Sequence, residues 1–178
     1  MRDEADARVP ASARICLKLL ADQLDLVNRQ ALETDRLILA SARATEIGRR
    51  PMAIPGVGPV LASAMVASVP GPHAFKTGRN LAAWIGLVPK QNSSGGKERL
   101  GGITKQGNRY LRQLLVVGAL AVIRYAERHG TRRPWLVQLM ARRITKIAAV
   151  ALANKMARMI WAIMTSGEAY REPVLKAA

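Results

Sequence analysis

Two histidines and one cysteine, Cys16, are all that these 178 residues hold of the residues that usually bind zinc by nitrogen or sulfur. A single thiol closes no disulfide within the chain, and so few ligands argue against a zinc site. Aromatics are scarce as well, at 4% of the residues, so the hydrophobic 49% is mostly Ala, Leu and Val. That mixture predicts packed helices rather than a β-sandwich, whose strands favour aromatic and β-branched residues. Long apolar runs are missing too. The run from Gln113 to Ile123 is bounded by Arg112 and Arg124, and residues 147–164 are interrupted by Asn154, Lys155 and Arg158. A bilayer asks for about 20 uninterrupted residues. The opening MRDEADARVP has acids where a signal peptide has an apolar stretch. These absences predict a soluble, cytoplasmic chain with no membrane role.

Acid is missing from one part of the chain only. The formal net charge is +16, but the first fifty residues carry nine Lys or Arg against eight Asp or Glu. From Pro51 to Ala178 there are nineteen against four, and the four acids are Glu98, Glu127, Glu168 and Glu172. No aspartate follows Asp35. A field so one-sided attracts a polyanion, most simply nucleic acid. A solvated basic surface and an anionic membrane are the alternatives.

What is present reads as helices. From Ala11 to Gly48 no Pro or Gly interrupts before Gly48, and Leu17, Leu20, Leu24, Val27, Ala31 and Ile38 follow a three-four spacing. A helix this long predicts a coiled-coil partner, or else packing on its own domain. Composition shifts at Arg49-Arg50-Pro51. Pro59 then suits the first turn of a helix through Val69, closed by Pro70-Gly71. Gly56-Val57-Gly58 lies just before it, as in the hairpin of a helix-hairpin-helix unit, where Gly56 and Gly58 would let a phosphate approach. A plain connection reads equally well. Thr77 and Gly86 bracket a short helix from Gly78 to Ile85, with Trp84 expected in the core. Further helices are expected over 108–128, 134–142 and 144–165, with Gly118 permitting a close helix crossing. No strand and no internal repeat is evident.

Between the third and fourth of these helices stands KQNSSGGKERLGGITKQG, residues 90–107. Five glycines, two serines and four Lys or Arg crowd into it without helical or strand period. Taken together, IPGVGPVLASAMVASV, then FKTGRNLAAWIGLVPKQNSSGGKERLGGITKQGNRYLRQLLVVGA, then AAVALANKMARMIWA resemble the C-terminal domain of insertion-sequence transposases of the 110/116/902 family, especially its 1111 subgroup. The resemblance runs from Ile54 to about Arg171. It implies an all-α organisation: residues 1–50 as tail and coiled-coil arm, 51–171 as a compact helical domain with a helix-hairpin-helix-like unit, and 172–178 as a tail.

The resemblance also implies a chemistry: strand cleavage and rejoining through a seryl-DNA intermediate, with an element-encoded non-coding RNA guiding target choice. The family's serine falls at Ser94, with Ser93 as second choice. The residues make sense of that role, although Ser-Ser-Gly-Gly is also ordinary loop composition. A hydroxyl that attacks phosphorus needs its proton removed and the added negative charge neutralised. Gly95 and Gly96 would let DNA lie close. Lys90, Lys97, Arg99, Lys105 and Arg109 would neutralise the reacting centre or hold flanking phosphates. The family pairs this domain with a RuvC-like domain bearing four acidic Mg²⁺ ligands. Asp3, Glu4 and Asp6 are too few for that site, so no cofactor is expected in this chain and Mg²⁺ only in the acidic domain. The expected form is therefore a truncated transposase, silent alone, that binds DNA and self-associates or co-assembles with a full-length copy. It departs from the family's pattern at Gly102, where arginine is common. A non-catalytic DNA- or RNA-binding or dimerisation module is the alternative.

Overall fold

Helix α1 starts at Ala11 and runs to Ala44 in the computed structural model, which describes residues 10–97, 99–131 and 133–172. The acids Asp3, Glu4 and Asp6 and the tail beyond Glu172 lie outside the described residues. The expected continuation of α1 to Gly48 is not what the chain does. Thr45 turns extended (φ −115°, ψ 144°), and its hydroxyl accepts a hydrogen bond from the Gly48 N–H at 3.2 Å. That caps a new four-residue helix, α2, Glu46–Arg49. Gly48 is needed for the fold-back, since a Cβ there would stand 2.5 Å from the Ala42 carbonyl oxygen. Glu46 pairs with Arg49 and Arg50 on the same turn. The chain divides into two units between Ala40 and Ser41, and the buried apolar residues belong to the second.

In that second unit, local signals place the helices where the sequence predicts them. A 3-10 turn over Arg50–Ala53 leads into α3, Pro59–Ser68, with Pro59 in its first turn. Thr77 caps α4, Gly78–Ile85, by accepting from the Asn80 N–H, and Gly86 ends it in the left-handed region at φ 82°. Asn108 caps α5, Arg109–His129, through the Leu111 N–H at 3.0 Å. Helix α6 spans Pro134–Arg142, and α7 spans Thr145–Ser166 with left-handed Gly167 behind it.

Helices α5 and α7 pack along one another and form the centre of the core. Leu111, Leu115, Ala119, Ile123 and Ala126 line the inner face of α5, recurring every three or four residues. Against them stand Ala148, Leu152, Ala153, Met156, Ala157 and Ile160 of α7. Leu61, Ala62 and Met65 of α3, Leu81 and Ile85 of α4, and Leu136 of α6 close the sides. Each such Leu, Ile or Met contributes roughly 1.5–3 kcal/mol by leaving water. No polar or charged side chain is buried among the described residues. Helix α7 is long and apolar enough to cross a membrane, but its apolar face is already used as core from Ala148 to Ile163.

Three expectations are corrected. Residues 89–103 contain two strands, β1 (Pro89–Gln91) and β2 (Leu100–Ile103), antiparallel, with Pro89 opposite Ile103 and Gln91 opposite Leu100. Strands of three and four residues with an irregularity between the paired ends are too short to carry a period of two. Trp84 is not in the core. Helix α4 buries Leu81, Ala82 and Ile85, which leaves Trp84 on its flank, 37% exposed, with its ring 5.5 Å from Phe75. Gly118 admits a turn more closely than a helix: its missing Cβ would stand 2.1 Å from the Gly56 carbonyl oxygen and 3.3 Å from the end of Met156 on α7.

Candidate nucleic-acid interface

The glycine turn before α3 has two unlike halves. Gly56 takes φ +88° and faces inward, where a Cβ would meet the Gly118 carbonyl oxygen at 2.7 Å and Val122 at 2.9 Å. Its lack of a side chain is therefore required by packing on α5. Gly58 is exposed, has nothing within 4 Å of its missing Cβ, and directly precedes α3. Only Gly58 of the pair offers open backbone.

The serine-glycine segment is the tip of the β1–β2 hairpin. The Lys97 N–H donates to the Ser94 carbonyl at 3.1 Å, and the two residues between, Gly95 and Gly96, have φ +56° and +77°. Two successive positive φ values are what a type I′ hairpin turn demands, and glycine meets that demand without strain. The glycines thus shape the turn. They also leave it open, since nothing lies within 4 Å of either missing Cβ. The two serines differ. Ser93 Oγ accepts from the Arg99 N–H at 3.2 Å. Ser94 Oγ has no hydrogen-bond partner among the described residues, and Ser94 is exposed.

The foot of the hairpin is held firmly. Thr104 N–H donates to Val88 O at 2.8 Å, and Lys105 N–H to Gly86 O at 3.2 Å. Arg112 reaches in from α5 and donates to Ile85 O at 2.8 Å and Gln106 O at 3.4 Å. The two backbones cross so closely that a Cβ at Gly107 would lie 1.8 Å from Trp84 O, and one at Gly86 2.0 Å from Gln106 O. Lys105 itself sits at φ +56°, an uncommon conformation for a side chain. Lys90, Lys97, Arg99, Lys105 and Arg109 are all exposed, and none forms an ion pair with a described carboxylate. The fold gathers Lys90, Ser93, Ser94, Gly95, Gly96, Lys97 and Arg99 on one hairpin, with Lys105 at its foot and Arg109 at the start of α5. Gly56 packs at Gly118, nine residues along α5 from Arg109, or about 14 Å of helix.

One feature escapes a reading of the sequence. An open groove of about 1430 Å³ lies between the hairpin foot, the start of α4 and one face of α7. Pro89, Gly102 and Ile103 of the hairpin line it together with Trp135, Ile147, Val150 and Trp161, and so do Arg79, Lys146, Lys155 and Arg158. Asn154 ties α7 to the hairpin approach by donating to Leu87 O at 3.1 Å, and Trp161 Nε1 donates to Phe75 O at 3.2 Å. The Lys155 ammonium stands 4.3 Å over the Trp135 ring. Burial first, then Arg133 and Arg158, lowers the Lys155 pKa below that of a free lysine. Arg133 is itself paired with Glu172 at 2.8 Å. Among the described residues no three His, Cys, Asp or Glu side chains come together in a way that would hold a metal ion.

Comparison with known proteins places these features in a recurring segment. A family profile described as the transposase IS116/IS110/IS902 family matches residues 49–133, from the glycine turn through the hairpin to α5. A Pseudomonas aeruginosa protein described as a "probable family 20 transposase" is 43% identical over 166 residues, which is 93% of this chain and 49% of that protein. The transposase for insertion sequence element IS1111A of Coxiella burnetii is 45% identical over 150 residues, 83% of this chain and 41% of that protein. The transposase for insertion sequence element IS1328 of Yersinia enterocolitica is 34% identical over 142 residues, 79% and 42% respectively. The chain spans about half the length, or less, of these curated relatives.

Proposed function

From residue 49 to residue 133 this chain belongs to the transposase IS116/IS110/IS902 family, and on that premise we propose that it binds DNA and presents Ser94 as the nucleophile that cuts and rejoins a strand. The observation that carries the reading is the hairpin tip. Ser94 precedes two open glycines, its hydroxyl is free of described partners, and the neighbouring cations form no ion pair with a described carboxylate. Ser93 is the weaker candidate, because its oxygen already accepts the Arg99 N–H.

The step balances simply. The Ser94 Oγ–P bond forms, the bond from phosphorus to a deoxyribose oxygen breaks, and the serine's proton ends on the departing deoxyribose oxygen, so that one phosphodiester is exchanged for another. Lys90, Lys97 and Arg99 offset the charge that builds on the phosphoryl oxygens. The described residues bring no three His, Cys, Asp or Glu side chains together; the Mg²⁺ that the family resemblance implies would be held by the acidic domain, where it would offset charge on the phosphate. The working assembly contains DNA, the element's RNA, and either a second copy of this chain or a full-length transposase. It acts in the cytoplasm, at the nucleoid when bound to DNA.

The test supplies a family acidic domain in trans, with its RNA and substrate DNA. A covalent protein–DNA adduct is expected on a denaturing gel, with the linked peptide identified by mass spectrometry. Ser94→Ala abolishes it and leaves DNA affinity nearly unchanged. Loss of the adduct in Ser93→Ala alone moves the nucleophile by one residue, and an adduct that survives the double change ends the serine reading. The exposed apolar residues of α1 favour a second reading, an interaction module without chemistry. It is marked by co-purification with a full-length transposase that is lost on deleting residues 11–48, with no adduct under any condition.

A further inference from the structure

None of Ser93, Ser94, Lys97 and Arg99 lines the groove at the hairpin foot. We infer that it receives unpaired nucleotides of the DNA strand, with bases against its apolar floor and phosphates on its cationic rim. This rests on the DNA-handling function proposed above.

Trp135, Ile147 and Trp161 supply apolar surface, Arg79, Lys146 and Arg158 supply charge, and no described carboxylate lines the groove. Duplex DNA offers a protein its phosphates and groove edges and keeps its base faces stacked inside. An indole and aliphatic floor suits a base that has left the stack, and base–aromatic stacking beside cations is how single strands are commonly held. Lys155 is half-buried over Trp135 and feels Arg133 and Arg158, both of its own sign. A phosphate oxygen in the groove relieves that repulsion. Pro89 lines the groove and Ser94 lies five residues further along the hairpin. At about 3.3 Å per residue the two are at most ~17 Å apart, about five base steps of 3.4 Å. A strand engaged at Ser94 therefore has its near neighbours within reach of the groove.

The experiment uses the full chain, a fluorescein-labelled oligo-dT of fifteen nucleotides, a duplex of equal length and oligo-U of equal length, all at one salt concentration. Binding is read by anisotropy and by tryptophan fluorescence. Oligo-dT should quench the tryptophans. Lys146→Gln combined with Lys155→Gln should weaken oligo-dT binding about tenfold while duplex binding changes less than threefold. Trp135→Phe should retain oligo-dT binding, and Trp135→Ala, at matched circular dichroism, should lose about tenfold. Equal losses for single strand and duplex, or no quenching, overturn the inference and leave the DNA-binding reading standing. Tighter binding of oligo-U than of oligo-dT overturns the assignment to DNA. If the duplex fails to bind at low salt, the DNA reading itself fails.

Discussion

Glycine positions in this chain divide into those that packing requires and those it does not. Gly118 belongs to the first group, because any side chain there collides with the Gly56 carbonyl and not with a movable rotamer. Gly118→Ala should destabilise the chain by about 3 kcal/mol, the upper end of overpacking penalties, lowering the melting temperature by roughly 6–12 °C. Gly102, with nothing within 4 Å, is the control. Gly102→Ala should stay within about 0.5 kcal/mol. Thermal unfolding followed by circular dichroism measures both, and equal melting temperatures would contradict the close turn-on-helix contact. The sequence marks Gly118 as unusual, since glycine inside a helix costs about 1 kcal/mol relative to alanine. What it cannot name is the partner, because Gly56 lies 62 residues away. Ser94 and Ser93 are likewise adjacent and equivalent as letters. The Arg99 N–H, brought back by the hairpin, makes them different.

Helix α1 has apolar residues on two separate faces. Leu17, Leu20, Leu24 and Val27 form one stripe, while Ile15, Leu19, Leu26 and Leu37 form another, centred about 135° away at 100° per residue, and all eight are exposed. The three-four spacing identifies the first stripe, and self-association through it is the expected outcome. Sedimentation of the full chain should give a dimer. Leu20→Asp with Leu24→Asp should give a monomer, and Leu19→Asp with Leu26→Asp should keep the dimer. A wild-type chain that sediments as a monomer would refute the pairing. The hairpin is an element of another kind. Its turn is specified by Gly95 and Gly96, and Gly95→Asn should be tolerated because Asn-Gly is a preferred type I′ pair. Gly96→Val should disrupt the tip, since a β-branched residue is strained at positive φ. Amide exchange at the Lys97 N–H distinguishes the two variants: slow for the first, fast for the second.

Across the molecule, the charge asymmetry is the property with the widest reach. Residues 51–178 hold nineteen cations against four acids, and the cations around the hairpin are free of described ion pairs. Duplex binding should therefore release counterions. If six or more phosphates are neutralised, affinity should fall by about 10³-fold or more between 50 and 200 mM salt. Titrations at four salt concentrations give the slope, and a flat slope would exclude a phosphate-dominated interface. This prediction needs only composition. Where the strand lies needs the fold, since the cations come from α4, the hairpin, α5 and α7 together.

The amino-acid sequence was sufficient for the helical class, for the ends of most helices and for the sign of the electrostatic field. These properties are local or additive. Thr77 and Asn108 cap through N–H groups three residues ahead, Pro59 and Pro134 start helices through their own φ, Gly86 and Gly167 stop them through theirs, and charges simply sum. Other properties depend on residues that meet only after folding. The hairpin pairs Pro89 with Ile103 across strands too short to show a pattern. Trp84 turns outward because Leu81, Ala82 and Ile85 already occupy the inner face of α4. The groove joins Arg79, Gly102, Trp135 and Lys155 from four elements. No window along the chain contains such a set, so its shape and charge exist only once α4, the hairpin, α6 and α7 have packed.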